Sequence, residues 1–190
     1  MLGVVLAGGQ SLRMGSDKGL LTYQGRLWAE IAAEKLGQLD IPVKISVNAG
    51  QYQSYADFFS TDQLIADHPS LSIKGPFLGL LSAHLAAPAE DLLVLACDMV
   101  LMDIRLLSSL CKASELNSSF DACIFNREGQ QEPLCGIYRS GALQILAEEQ
   151  LLKHSMKYVL SRLKVLEIPV SAADAGFFGN FNAPGDLLSD

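Results

Sequence analysis

Short, uniformly apolar runs recur along this chain, and helical patterns or polar loops separate them. The first run, Leu2–Leu6, stops abruptly at Ala7-Gly8-Gly9. A run this short that is apolar at every position indicates a strand buried on both faces, and the glycines indicate the loop that ends it. The same pattern predicts further strands at Val43–Val47, Leu64–Ala66, Leu92–Ala96, Ala122–Phe125, Leu134–Tyr138 and Val165–Ile168.

Amphipathic helical patterns fill the intervals between these strands. The first predicted helix has its apolar face at Leu27, Ile31, Ala32 and Leu36. Pro76 is expected to begin the second, because the first helical turn does not need the N–H that proline lacks. Its predicted inward face is Leu78, Leu81, Leu85 and Ala86, and further helices are predicted at Asp103–Leu116, Ala142–Leu152 and Ser155–Leu163.

Buried strands that alternate with helices are typical of an α/β fold with a mainly parallel sheet and helices on both faces. The chain has 190 residues and is 49% hydrophobic, which is enough to bury one continuous core. Without internal repeats or a linker, we expect one domain over residues 1–190. The segment Ser171–Gly179 is predicted to be an irregular loop.

The formal net charge of -7 argues against nucleic acid and anionic membranes as partners, because both would be repelled. A small anionic ligand therefore needs cations placed locally. The sequence predicts neither a signal peptide nor a membrane span, so we expect a cytoplasmic protein. The four cysteines lack metal-binding spacing and the three histidines are scattered, which favours reduced core cysteines over a zinc site.

The segment from Gly8 to Lys18 is predicted to bind an anion. It contains Gly8, Gly9 and Gly15, together with Arg13 and Lys18. Glycines let backbone N–H groups approach phosphates closely, and the two cations supply positive charge. The spacing matches neither a Walker A loop nor the GxGxxG dinucleotide motif. A plain turn whose cations face water is the alternative.

Polar residues follow three of the predicted strands: Asn48, Asp67 and Asp98. The carboxyl ends of parallel strands share one edge of a sheet, where ligands of such folds bind. Asp98 follows the most apolar strand, and one carboxylate there is enough to hold a Mg²⁺ that takes its other ligands from water and phosphate. Taken alone, Asp67 and Asn48 could equally be turn residues.

These residues match a known pattern. Leu6-Ala7-Gly8-Gly9, Arg13-Met14-Gly15, Asp17-Lys18, Cys97-Asp98 and Asn180-Phe181-Asn182-Ala183-Pro184 together resemble the molybdenum cofactor guanylyltransferase family, over about residues 2–188. The resemblance implies a Rossmann-like nucleotidyltransferase fold. It also implies transfer of GMP from Mg-GTP to the terminal phosphate of the molybdopterin cofactor, with release of pyrophosphate.

Carried over position by position, the resemblance implies a set of site residues. Leu6, Ala7, Gly8 and Gly9 would bind the guanine and the start of the nucleotide, and Asn48 and Asp67 the nucleoside. Lys18 would hold phosphate, and Asp98 both Mg²⁺ and the triphosphate. Arg13 joins Lys18 and Asp98 as a catalytic candidate, and Asn180 and Asn182 would bind the pterin. The chain departs from the family at Gly25-Arg26-Leu27 and at Ala183, which lacks a capping hydroxyl.

Other functions stay open from the sequence alone. A cytidylyl- or uridylyltransferase acting on a pterin, sugar or polyol phosphate would share most of these residues, and Gly8-Gly9 favours guanine only weakly. A non-catalytic nucleotide-binding adaptor would retain the glycines without needing Lys18, Asp98 and the two asparagines together. The sequence also leaves open which protein partners deliver the pterin or receive the product.

Overall fold

The computed structural model describes residues 1–8, 17–149, 151–179 and 181. Seven strands form one sheet: β1 (Leu2–Leu6), β4 (Val43–Val47), β5 (Leu64–Ala66), β6 (Leu92–Ala96), β7 (Ala122–Arg127), β8 (Gln130–Tyr138) and β9 (Val165–Pro169). Two further strands, β2 (Thr22–Tyr23) and β3 (Arg26–Leu27), form a small antiparallel hairpin that the sequence analysis missed. The helices are α1 (Trp28–Gly37), α2 (Tyr52–Ala56), α3 (Pro76–Ala86), α4 (Ile104–Leu116), α5 (Ser140–Glu148) and α6 (Met156–Leu160).

The strand order in the large sheet is β5-β4-β1-β6-β8-β7-β9. β1 pairs in parallel with β4 on one edge and β6 on the other, while β8 runs antiparallel between β6 and β7. The predicted mainly parallel sheet is therefore confirmed, with β8 as its antiparallel member. The direction in which the chain adds strands reverses beside β1, and this switch point is where ligands bind in open α/β sheets.

Helices cover both faces of the sheet, as predicted. One core cluster joins Val5 and Leu95 of the sheet to α1 and α4, and the other joins Val4 and Val94 to α3, α5 and α6. Successive residues of β1 thus enter opposite cores, because side chains alternate along a strand. None of the helices that the structure describes is long and apolar enough to cross a bilayer.

The predicted inward face of α3 is wrong in part. Leu81 is buried, but Leu85 and Ala86 are exposed and Leu78 is only partly buried. The helix instead buries Phe77 and Leu80, because it lies between the sheet and the helices α5 and α6 and its buried face is broader than one stripe.

Several predicted boundaries also change. β7 and β8 are longer than expected because Glu128 and Gly129 both adopt positive φ, 52° and 86°, and form a tight hairpin turn. α5 ends at Glu148 and α6 at Leu160, before the predicted ends at Leu152 and Leu163. The expected loop Ser171–Gly179 contains a 3₁₀ turn, Ala175–Phe178, because the buried Phe178 ring packs edge-on against Phe125 with centroids 5.1 Å apart.

Gly136, at the centre of β8, lies very close to β7. A Cβ at Gly136 would come within 2.6 Å of Ile124 Cγ2 and 3.1 Å of the Cys123 carbonyl oxygen. We expect Gly136→Ala to lower the free energy of unfolding by about 1–3 kcal/mol, because β7 must shift to admit the methyl group. The measurement is urea denaturation.

Gly141 provides the matched control, because a Cβ there meets no atom within 4 Å and the residue is exposed near the start of α5. Gly141→Ala should be neutral or stabilise by about 0.5–1 kcal/mol, as alanine favours helix. Equal midpoints for the two variants would contradict the tight packing inferred at Gly136.

Candidate active site

A cavity of about 230 Å³ lies at the carboxyl ends of β1 and β6, beside the first turn of α3. This is the edge of the sheet that the sequence analysis singled out. Residues from seven separate parts of the chain line it: Leu6, Ala7, Gly8, Lys18, Ser46, Asp67, Gly75, Pro76, Gly79, Ala96, Cys97, Asp98 and Leu134. The parallel pairing of β1 with its two neighbours brings these parts together.

The backbone ladder continues past the strand ends and fixes the rim of the cavity. Ala7 N donates to Ser46 O at 2.9 Å, and Cys97 N donates to Leu6 O at 3.1 Å. Asp67 N donates to Val47 O at 2.9 Å. These bonds hold Ala7, Asp67 and Cys97, the neighbour of Asp98, in fixed positions relative to one another.

Lys18 and Asp98 form an ion pair in this cavity. Lys18 Nζ donates to Asp98 Oδ2 at 3.0 Å, across 80 positions of sequence, and the two side chains are 23% and 19% exposed. Lys18 begins a 3₁₀ turn, Lys18–Leu20, and Asp98 lies two residues beyond β6. The two charges that the sequence analysis assigned to phosphate and metal thus lie side by side.

Asp67 and Asn48 occupy different positions. Asp67 lines the cavity, and burial raises the pKa of its carboxyl group. The Asn48 side chain lies against Gly8: its Nδ2 donates to Gly8 O at 3.3 Å, and its Oδ1 accepts from Gln51 N at 3.0 Å. In this structure Asn48 supports the backbone that borders the cavity.

Ser46 and Gly79 form part of the cavity wall, and of these two the sequence analysis missed Ser46. Ser46 is 1% exposed, and its hydroxyl has no hydrogen-bond partner among the described residues. A Cβ on Gly79 would lie 2.8 Å from Ser46 Oγ and 3.1 Å from Leu6 Cδ2. Gly79 therefore lets α3 approach β4 closely, and a Gly three residues after Pro76 was the available sequence signal.

The start of α3 faces the same cavity. Gly75 has φ 72°, a conformation that favours glycine, and Pro76 follows as the first helical residue, as predicted. The free N–H groups and dipole of a helix N-terminus attract anions. This end of an 11-residue helix adds positive potential to a wall that also carries Asp67 and Asp98.

Some predicted site residues lie outside the described residues: Gly9, Arg13, Asn180 and Asn182. Phe181, which is described, donates its backbone N–H to Asp98 O at 3.3 Å. That contact brings residue 181 to the edge of the sheet where Asp98 lies.

The oxygen donors of this site suit a hard divalent cation. Among the described residues, no cluster of three or more His, Cys, Asp or Glu side chains forms an all-protein metal cage. Mg²⁺ does not need one, because it binds through one or two carboxylates and completes its shell with water and phosphate oxygens. Asp98 provides such a carboxylate on the cavity wall.

Thiol chemistry does not fit this cavity. Cys97 lines it, but burial raises the pKa of the Cys97 thiol far above neutrality, so the reactive thiolate is scarcely populated. All four cysteines are free, and three of them, Cys97, Cys123 and Cys135, are buried.

Comparisons with known proteins give a consistent picture. Residues 3–166 match the MobA-like NTP transferase domain. A probable molybdenum cofactor guanylyltransferase of Geobacillus sp. is 36% identical over 141 residues, which cover 73% of this chain and 69% of that protein. The molybdenum cofactor guanylyltransferase of Xanthomonas euvesicatoria pv. vesicatoria is 33% identical over 187 residues, or 96% and 89% of the two chains.

A solved structure shares the fold. The crystal structure of molybdopterin-guanine dinucleotide biosynthesis protein A from Archaeoglobus fulgidus superposes with a TM-score of 0.77 at 23% identity, covering 99% of this chain and 95% of that one. The α/β sheet described above is thus the Rossmann-like nucleotidyltransferase fold.

The contact between Gly79 and Ser46 can be tested by stability measurements. Gly79→Ala should lower the free energy of unfolding by about 1–3 kcal/mol, because its methyl group crowds the Ser46 hydroxyl. Ser46→Ala should be neutral or stabilising, because it removes a buried hydroxyl that has no hydrogen-bond partner in the part of the chain that the structure describes. The double variant should recover part of the loss in a double-mutant cycle of urea midpoints; strictly additive effects would contradict the contact.

Proposed function

The chain belongs to the MobA-like NTP transferase domain family and is a nucleotidyltransferase, and on this basis we propose that it transfers GMP from Mg-GTP to the terminal phosphate of the molybdenum cofactor. The observation that carries the proposal is the ion pair between Lys18 and Asp98 inside the cavity at the switch point. The names of the two relatives support guanine as the base and the pterin as the acceptor.

The proposed reaction exchanges one phosphoanhydride bond for another. An oxygen of the acceptor's terminal phosphate attacks the α-phosphorus of GTP, and the bond from that phosphorus to the bridging oxygen breaks. Pyrophosphate leaves with the electron pair. The nucleophile is already an anion, so no protein group has to remove a proton. The enzyme's task is to align two anions and neutralise the charge that develops.

Lys18 and Asp98 are suited to this task because they carry opposite charges at one point. On nucleotide binding we expect the pair to separate, with Lys18 Nζ donating to a phosphate oxygen and Asp98 turning its carboxylate to the metal. A bound Mg²⁺ would supply positive charge to the triphosphate and leaving group. Arg13 is proposed to assist Lys18 on the leaving pyrophosphate.

The remaining assignments concern the nucleoside and the pterin. Backbone groups of Leu6, Ala7, Gly8 and Gly9 are proposed to bind the guanine and the first part of the nucleotide, with Asp67 and Asn48 near the nucleoside. Residue 181 contacts Asp98 through its backbone, which supports a pterin-binding role for its neighbours Asn180 and Asn182. The acceptor phosphate would then approach from the Asp98 side.

A cytidylyl- or uridylyltransferase is the competing assignment, because fold and phosphate-binding groups do not depend on the base. A non-catalytic adaptor does not need an acid beside Lys18, so their pairing favours an enzyme. The first experiment is a thermal-shift panel with GTP, CTP, UTP and ATP, each with Mg²⁺.

We expect GTP to stabilise the protein most. At a hundred times its dissociation constant, a ligand that binds only the folded state adds about 2.7 kcal/mol. Pyrophosphate release with GTP, Mg²⁺ and molybdenum cofactor then tests turnover. A larger shift with CTP than with GTP would replace the guanylyl assignment with the cytidylyl one.

Asp98→Asn tests the metal assignment. The substitution keeps the size of the side chain but removes the charge that holds a cation, so we expect pyrophosphate release to fall at least about a hundredfold. The ion pair with Lys18 is partly exposed, so its loss should change the free energy of unfolding by less than about 1 kcal/mol. Asp57→Asn, on an exposed residue at the end of α2, is the matched control.

Lys18→Ala is the companion variant and should weaken Mg-GTP binding about tenfold or more, because it removes a charge-assisted contact to phosphate. Near-normal release by Asp98→Asn, with an unchanged Mg²⁺ requirement, would move the metal to another acid. Asp67 is then the first to test, since it lines the same cavity.

A further inference from the structure

A hydrogen-bond network lies behind Lys18, and the catalytic assignments above do not use it. Its centre is the Asp17 carboxylate, which accepts three hydrogen bonds. Oδ1 accepts from Gly19 N at 3.1 Å and from the Tyr55 hydroxyl at 2.8 Å, and Oδ2 accepts from Gln51 Nε2 at 2.6 Å. Asp17 is therefore joined both to the turn that carries Lys18 and to α2.

The same network reaches the end of β1. Gln51 Oε1 accepts from Asn48 N at 3.1 Å, and Asn48 Nδ2 donates to Gly8 O at 3.3 Å. Gln51 Nε2 also lies 3.5 Å from Ala7 O. The segment from Asn48 to Tyr55 thus contacts Ala7-Gly8 on one side and Asp17 on the other, two points that flank residues 9–16.

Tyr55 and Gly19 are packed so closely that no larger residue fits at position 19. Tyr55 is completely buried, and its ring stacks on Phe59 with centroids 5.9 Å apart. A Cβ on Gly19 would lie 2.1 Å from the Tyr55 hydroxyl oxygen and 3.2 Å from Ala7 Cβ. Only glycine at position 19 allows the backbone next to Lys18 to lie directly on this hydroxyl.

The network also addresses an electrostatic problem. Asp17 is a carboxylate adjacent in sequence to a lysine that is assigned to a phosphate. An unanchored carboxylate there would compete with the phosphate for Lys18 or repel the triphosphate. Three donors fix its orientation and spread its charge. Burial raises the pKa of the Tyr55 phenol, so this group stays a donor.

We infer that Tyr55 and Gln51 are positioning residues for nucleotide binding: acting through Asp17, they hold the backbone from which Lys18 reaches the triphosphate. This inference rests on the proposed function, in which Lys18 contacts phosphate. Tyr55 and Gln51 touch no reacting atom in this scheme. Their effect on binding should exist only when Lys18 is present, and this condition distinguishes positioning from general support of the fold.

A double-mutant cycle tests the dependence on Lys18. Tyr55→Phe removes one hydroxyl and keeps the ring. We expect it to weaken binding of the best Mg-nucleoside triphosphate about fivefold in the wild-type background and less than about twofold in the Lys18→Ala background. The readout is the dissociation constant from calorimetry, for whichever of GTP, CTP, UTP and ATP binds best.

Two variants complete the design. Tyr52→Phe, on the same helix, is the matched control, because the Tyr52 hydroxyl makes no hydrogen bond among the residues that the structure describes; it should leave binding unchanged. Gln51→Glu is isosteric and sets a second carboxylate against Asp17 Oδ2. It should weaken binding more than Tyr55→Phe does, with the same dependence on Lys18, and it provides the result if Tyr55→Phe does not fold.

Equal losses in the two backgrounds would overturn the inference and leave Tyr55 a structural residue. An unaffected dissociation constant in both Tyr55→Phe and Gln51→Glu would overturn it as well. Because the readout is binding of any nucleoside triphosphate, a failure of the guanylyl assignment is recognised separately, by the wrong base binding best or by the absence of wild-type turnover.

Discussion

Burial of β1 on both faces and both edges is the constraint on which the site depends. All five of its residues are buried, and β4 and β6 occupy its two edges. No polar side chain can be accommodated within such a strand without losing its hydration. The chemistry is therefore displaced to the point where the strand ends, and the continued backbone ladder fixes Ala7 against Ser46 and Leu6 against Cys97 there.

Positive charge at this edge of the sheet comes from a few nearby groups, whereas the chain as a whole is negatively charged. The chain carries a net charge of -7, so an anionic ligand is attracted only by groups that face it directly. Lys18 and the start of α3 provide that attraction, and Asp98 lies within 3.0 Å of the lysine. The donors around Asp17 serve the same end, because they anchor an acid that the sequence places next to this lysine.

Local signals were sufficient to predict the seven strands of the large sheet and the start of α3 at Pro76. They also placed Lys18, Asp67 and Asp98 at one edge, because parallel strands end together. Contacts between distant segments were not predictable in this way. The insertion of β8 between β6 and β7 and the Tyr55 to Asp17 contact depend on tertiary packing, and no local pattern records them. The hydroxyl of Ser46 was missed because a serine in an apolar strand gives no indication of what faces it.

The position of β1 in the sheet also determines when the site can exist during synthesis. Leu2 pairs with Leu92, so β1 lacks a neighbour on one of its two edges until the chain between these two positions has been translated. Pairings so distant in sequence form slowly, because a long loop must close before the contacts compensate for its lost entropy. The end of β1 is synthesised before Asp98, yet the two lie side by side only after β6 has docked. A growing chain therefore exposes one edge of the apolar strand Leu2–Leu6 until β6 has been made, and a chaperone can bind this edge during that period.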